Sequence, residues 1–224
     1  MTVGIRLHVW GERACFTRPE MKVERVSYDV MTPAAARGIL EAIHWKPAIA
    51  WTVTRIHVLK PIRFQSFRRN EVSAKASERL AKSAMKAGTT AGVGIDVAAT
   101  RQQRATTLLV DVGYVIEARF DMTAKAGAED TPAKHISMFN RRAASGQCFH
   151  RPCLGTREFA CDFRLIEDGA SLPESTLPEA ERNRDLGWMS YAPPYAPGQE
   201  ATFFRAQLDD GVLEEKLVAE GLAA

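Results

Sequence analysis

Thr32-Pro33-Ala34-Ala35-Ala36-Arg37-Gly38-Ile39-Leu40-Glu41-Ala42-Ile43-His44-Trp45-Lys46-Pro47 reads as one short helix that carries a histidine to its exit. The Thr32 hydroxyl can accept from a free first-turn N–H, and the missing N–H of Pro33 costs nothing at the first helical position. Pro47 discourages helix beyond Lys46. Ala36, Ile39, Leu40 and Ile43 then share one apolar face, and His44, Trp45 and Lys46 are left at the end.

Working outward, Gly4 to Trp10 alternates Ile5, Leu7 and Val9 with polar or half-polar neighbours, the period of a strand with one buried face. Gly11 to Tyr28 is polar and broken by Pro19, so it reads as a long loop or loose hairpin. After the helix, Ile49, Trp51 and Val53 alternate, and the pattern slips at Thr54-Arg55 before Ile56 and Val58, which predicts a strand with a bulge. Lys75 to Ala87 suggests a basic helix closed by Gly88. Thr106 to Phe120 predicts a long strand, and Thr131-Pro132 repeats the cap-then-proline start, with Ile136, Phe139 and Ala143 as the apolar stripe and Gly146 as the stop. Phe159 to Ile166 supplies another strand. Strand, helix, strand, then strand, helix, strand is the split βαβ, ferredoxin-like arrangement, an α+β fold over residues 1–166. Residues 167–224 are expected to add a small antiparallel β region, with Ala201 to Leu208 and Val212 to Leu217 as a hairpin around Asp210-Gly211.

At 46% hydrophobic and 25% charged, a chain of 224 residues can bury a real core and is neither disordered nor fibrous. No apolar run has the length of a membrane span and Met1 to Trp10 lacks a signal-peptide pattern, so a cytoplasmic protein without a membrane partner is expected. Four cysteines are too few for a disulfide scaffold. Cys148, His150, Cys153 and Cys161 lack the paired spacing of structural zinc sites, and Thr90 to Gly94 lacks the lysine of a phosphate loop. The net charge of +3 hides an asymmetry, since Arg55 to Arg104 holds eleven Lys and Arg against three acids, whereas Asp209 to Ala224 holds five acids and one lysine. A polyanion partner touching the basic middle and a merely solvated charged surface both fit that balance.

Right-handed crossovers make each helix antiparallel to its own strands, and the reversed second half puts the end of the first helix beside the start of the second. His44 therefore converges with Lys134 and His135. Imidazoles and an ammonium at a helix N-terminus can hold and cleave a phosphodiester, and RNA brings its own nucleophile, the 2′-OH, so neither metal nor cofactor is required. Taken singly, each residue also has a plain reading: a histidine that caps a carbonyl, a solvated Lys-His in a first turn, a Trp45 that packs.

The run from Pro19 to Asn70, with VSYDVMTPAAARGILEAIHWKPAIAW within it, RQQRATTLLVDVGYVIEARF at residues 101–120, and AKHISMFNRRAASGQCFHRPCLGTREF at residues 133–159 are similar to the CRISPR-associated Cas-five family of the type I-C (d) subtype. The resemblance implies an RRM-like, ferredoxin-type domain of the repeat-associated mysterious protein superfamily. It also implies a metal-independent endoribonuclease that cuts the repeat hairpin of precursor CRISPR RNA and stays on the 5′ tag of the mature RNA as a subunit of the type I-C Cascade complex. The family's Lys-His pair falls on Lys134 and His135, and its helix-exit tyrosine falls on His44. On that basis His44 is expected to act as general base, with His135 as acid or orienter and Lys134 stabilising charge, or the two histidines exchange roles. Lys22, Arg25, Lys46, Arg68, Arg69, Arg101, Arg104 and Arg141 are the expected RNA-binding cations, with Phe64 or Phe67 as bases' stacking partners or as core. The alternatives are a non-catalytic subunit that grips the RNA tag, or nonspecific binding of double-stranded DNA through the basic segment.

Overall fold

Residues 4–192 and 202–214 are described by a computed structural model. Alternation makes Ile5–Ala14 the first strand, β1, with Ile5, Leu7 and Val9 buried. It runs past Trp10 because Gly11, Arg13 and Ala14 pair with Val112, Val110 and Leu109. The polar segment that follows holds a 3-10 turn at Pro19–Met21 and a two-residue strand, β2 (Arg25–Val26). Helix α1 (Pro33–Ile43) starts as its sequence indicates: the Thr32 hydroxyl accepts from the Ala35 N–H at 3.2 Å, and Ala36, Ile39, Leu40 and Ile43 are buried. Strand β3 (Ile49–Val58) shifts its pairing between Val53 and Arg55, the bulge that the slipped alternation predicts. Next come β4 (Phe64–Val72), α2 (Glu78–Ala87), the single turn α3 (Val97–Thr100) and β5 (Arg101–Met122). Helix α4 (Pro132–Ala144), β6 (Asp162–Ile166), α5 (Glu179–Arg182), β7 (Arg184–Ala192), β8 (Thr202–Leu208) and β9 (Val212–Glu214) complete the described chain.

The chain is a mixture of helices with one large sheet, whose strands run β6-β1-β5-β3-β9 with every neighbouring pair antiparallel. Helices α1 and α4 contribute Ile39, Leu40, Ile43 and Phe139 to the main core, and Trp51 wedges between Phe120 and Phe139 with ring centroids 5.1 and 5.0 Å away. Val115, between Tyr114 and Ile116, belongs to the other face, where Leu172 covers it with Leu59 and Ile166. Arg6 pins that cover by donating to the Glu167 and Ala170 carbonyls. β7 and β8 form a separate two-stranded sheet, yet Met189, Phe204, Ala206 and Leu208 join the main core, and the Ser190 N–H donates to the buried Tyr28 hydroxyl at 3.1 Å.

The expected C-terminal hairpin is present at its turn, where Asp210 and Gly211 take φ of 47° and 78° and Asp209 and Val212 exchange two backbone bonds. Beyond the turn the strands part: β8 pairs with β7, and β9 pairs with β3. Ala201 and residues 215–217 of that expectation lie outside the described residues. Among the described residues no helix is long and apolar enough to cross a membrane.

Ser66–Thr106 forms a compact unit of its own. Its α2 is capped by the Ser77 hydroxyl and closed by Gly88 at φ 65°, and buries none of its residues. Glu71 draws Arg69 and Arg104 together, with Arg69 Nε at 3.0 Å and Arg104 Nε at 3.6 Å.

One glycine shows how tightly the loop after α4 is held. Gly155 sits at φ 89°, and a Cβ there would lie 2.0 Å from the Cys15 carbonyl oxygen, while Cys15 N–H bonds to the Leu154 carbonyl. Gly155→Ala combines backbone strain with overpacking and is expected to cost roughly 2–5 kcal/mol. Thermal melts read this as a Tm lowered by roughly 5–15 °C.

Candidate active site

Helix α1 stops at His44, whose backbone is already extended (φ −149°, ψ 114°) although its N–H still bonds to the Leu40 carbonyl. The indole N–H of Trp51 donates to the His44 carbonyl at 2.9 Å. With the backbone tied at both ends, the imidazole turns inward and is fully buried.

Helix α4 meets it from the other side. The Thr131 hydroxyl accepts from the Lys134 N–H at 3.2 Å and Pro132 takes the first position, so His135 lies one turn in, four residues before the buried Phe139 and on its face. His135 is 1% exposed, and its Nδ1 lies 3.0 Å from His44 Nε2. Two turns further on, Arg142 donates to the Ile43 carbonyl at 2.9 Å and stands 3.4 Å from His44 Nδ1. Asp130, just ahead of the cap, places Oδ1 3.2 Å from His135 Nε2, off the axis of a straight hydrogen bond.

These contacts decide where the protons are. A guanidinium has only donors, so His44 Nδ1 must face it as an acceptor, and the single proton of a neutral His44 is on Nε2. That N–H donates to His135 Nδ1, which leaves the His135 proton on Nε2, pointing toward a carboxylate. Burial first, then the positive charge of Arg142 and the neighbouring His135 and Lys46, push the His44 pKa down from 6.5 to about 4. The Gly127 N–H, bonded at 3.0 Å, together with His135 and Lys134 holds Asp130 below the usual carboxylate range.

Lys134 is exposed, and its ammonium donates to the Glu129 carbonyl at 3.0 Å. Lys46 and Arg141 are exposed and adjoin the pair in sequence, two residues after His44 and one before Arg142. Lys22 is exposed beside the 3-10 turn, and Arg25 pairs with Glu158 at 3.0 Å. Arg68, Arg69, Arg101 and Arg104 belong to the Ser66–Thr106 unit, where Arg68 and Arg101 are exposed. Phe64 is 42% exposed and Phe67 half-buried. Among the described residues no disulfide joins two cysteines, and no three His, Cys, Asp or Glu side chains gather as metal ligands. Sequence reasoning passed over Asp130 and Arg142. The signal for Arg142 is its spacing: seven residues after His135, it returns to the same helix face.

The model of the CRISPR-associated Cas5 family, in its Cas5d form, matches residues 4–214. The protein of Mannheimia succiniciproducens named "CRISPR pre-crRNA endoribonuclease Cas5d" is 59% identical over 214 residues, 96% of this chain and 95% of that one. A protein of the same name from Thermus thermophilus is 41% identical over 204 residues, 90% of this chain and 79% of the relative. Among solved structures, that of a CRISPR-associated protein superposes with a TM-score of 0.66 at 23% identity, covering 98% of this chain and 95% of the other. A functionally uncharacterized protein from Streptococcus mutans does so with a TM-score of 0.66 at 21% identity and the same coverage; both likenesses concern the fold. With the match running through both helices and the histidine pair between them, the chain belongs to the Cas5d family of CRISPR-associated proteins.

Proposed function

We propose that this chain is a metal-independent, cytoplasmic endoribonuclease that cleaves the repeat hairpin of precursor CRISPR RNA and stays bound to the 5′ tag as a Cascade subunit. The relatives carry the name pre-crRNA endoribonuclease. The observation that carries the reading here is the 3.0 Å contact between His44, at the end of α1, and His135, in the first turns of α4 next to Lys134. The strand order β6-β1-β5-β3, with α1 and α4 as its crossovers, supports a ferredoxin-like core within residues 1–166, to which residues 167–224 add a small β region.

In this reading the 2′-OH attacks the adjacent phosphorus, the bond to the 5′-oxygen breaks as solvent protonates the departing oxygen, and a 2′,3′-cyclic phosphate and a 5′-OH result. RNA takes the place of the Asp130 carboxylate in front of His135. The His135 Nε2–H then donates to the phosphate as negative charge builds, and the Lys134 ammonium, released from the Glu129 carbonyl, adds its charge. His44 is a positioning residue: its N–H occupies His135 Nδ1 and keeps the proton on Nε2. His135 works as a hydrogen-bond donor to the phosphate, and the 2′-OH proton leaves to solvent.

The burial of both imidazoles favours a second reading, a subunit that grips the tag and never cuts. Purified protein, labelled repeat RNA and EDTA separate the two. Cleavage is expected for the wild type, with His135→Ala and Lys134→Ala each slower by about 100-fold or more. Tight binding of the tag without cleavage would establish the second reading.

With the 2′-OH proton lost to solvent and His135 only donating a hydrogen bond, the logarithm of the single-turnover rate is expected to rise with pH from 6 to 8.5 without a descending limb. A bell-shaped profile would return His135 to acid–base work.

A neutral His44 also sets an acid limit on stability. An unfolded chain protonates this residue below about pH 6.5, whereas the folded one refuses the proton until about pH 4. The contribution is therefore complete above pH 6.5 and is lost as pH falls toward 4, on the order of 3 kcal/mol in all. Denaturant melts of wild type and His44→Gln at pH 7 and pH 4.5 should show a smaller pH difference in the variant.

A further inference from the structure

Phe149 is the least protected large apolar side chain among the described residues, at 87% exposure. Its backbone is nevertheless fixed. The Phe149 N–H donates to the Ala42 carbonyl at 2.8 Å, the Gln147 N–H to the Arg142 carbonyl at 2.8 Å, and the Cys161 N–H to the Pro152 carbonyl at 2.9 Å. Cys148 packs on the core just before the ring, and Leu154 is fully buried just after it. A loop held this firmly keeps a phenyl ring in water and forgoes the gain that burying it would give.

The perch lies beside the histidine pair. Ala42 is two residues before His44, and Arg142 is the residue that clamps His44. Trp45, directly after His44, is 55% exposed, and the exposed His150 ring stands edge-on to Phe149 at 5.9 Å and 83°. Lys46, Arg141 and Arg151 are exposed in the same three segments. A protein-docking patch has few charges at its centre and surrounds its anchor with apolar neighbours. Protruding rings interleaved with cations instead match the stacking platforms that hold unpaired nucleotides.

We infer that Phe149, with His150 edge-on to it, is a stacking platform for an unpaired base of the substrate RNA next to the scissile bond. The inference rests on the endoribonuclease reading for its substrate. The platform grips the strand by base stacking and the flanking cations grip its phosphates, so that the scissile phosphodiester is delivered to the edge where His135 and Lys134 lie.

The test uses the full chain and repeat RNA carrying 2-aminopurine, one position at a time, at the unpaired nucleotides around the cut. Wild-type protein is expected to quench the probe at one or two positions, and Phe149→Ala to abolish that quenching. The same variant should raise the dissociation constant for repeat RNA about 5- to 150-fold, the range that one lost stacking contact spans. Phe149→Trp should restore both. Undiminished quenching and affinity in Phe149→Ala would overturn the platform even if the wild type cleaves. A wild type that binds and quenches through Phe149 but never cleaves would remove the endoribonuclease reading and leave the platform standing as part of a tag grip. Unchanged RNA binding with lost binding of another purified Cascade subunit would assign the ring to a protein interface and overturn the inference. Phe149 packs against nothing in the core, and circular dichroism of the variant should match that of the wild type.

Discussion

One guanidinium holds the two helices in register at the edge where the chemistry is proposed. The last carbonyls of α1 have no partner in their own helix and carry the negative end of its dipole, so a cation there is favoured twice. Arg142 supplies it by donating to the Ile43 carbonyl. Because the same side chain also stands against His44 Nδ1, the contact that closes one helix end fixes the proton of the next residue. The rest of the site follows: His44 donates, His135 Nδ1 accepts, and the remaining proton faces Asp130.

Two buried imidazoles need this degree of order. A polar group taken out of water without a partner costs about 1–3 kcal/mol, and a charged one more. Each ring therefore has one nitrogen bonded to the other ring. The outer nitrogens face Arg142 on one side and Asp130 on the other, opposite charges at the two ends of one line. The polarity of that line is not interchangeable. Reversing every bond would aim a His44 N–H at a guanidinium, which has nothing to accept it. The weak point is the end at His135 Nε2, where the carboxylate is off axis and the nitrogen lacks a well-formed hydrogen bond. A phosphate oxygen arriving there would gain a donor that the folded chain leaves underused.

Much of this was legible in the order of residues, for identifiable reasons. Thr32-Pro33 and Thr131-Pro132 mark helix starts by local chemistry, and the slip at Thr54-Arg55 marks a bulge, because both depend on neighbours in the chain. The meeting of His44 and His135 was legible from handedness alone. What escaped depends on contacts between distant segments. β1 extends past Trp10 only because β5 is there to pair with it, and β8 leaves β9 because β7 and β3 offer them different partners. The burial of His44 was illegible for the same kind of reason: a histidine after an amphipathic helix reads as a cap on a carbonyl until Arg142 and His135 are brought in to pair it. Phe149 is the opposite case, an apolar residue that a pinned loop holds outside.

The tyrosine that the family resemblance places at position 44 becomes intelligible in these terms. As a general base at neutral pH, a tyrosine hydroxyl with an ordinary pKa near 10 and an imidazole near 6.5 have little in common. As a donor they are equivalent, because a tyrosine O–H and the Nε2–H of a neutral histidine each present one hydrogen at the tip of a flat ring. His135 Nδ1 at 3.0 Å requires nothing else of its neighbour. The depressed pKa of His44, about 4, is what keeps that equivalence intact, since burial and Arg142 deny the ring the second proton that a tyrosine could never carry. The substitution thus fits the proposed role: position 44 sets the tautomer of His135, and the proton proposed to meet the substrate is on His135.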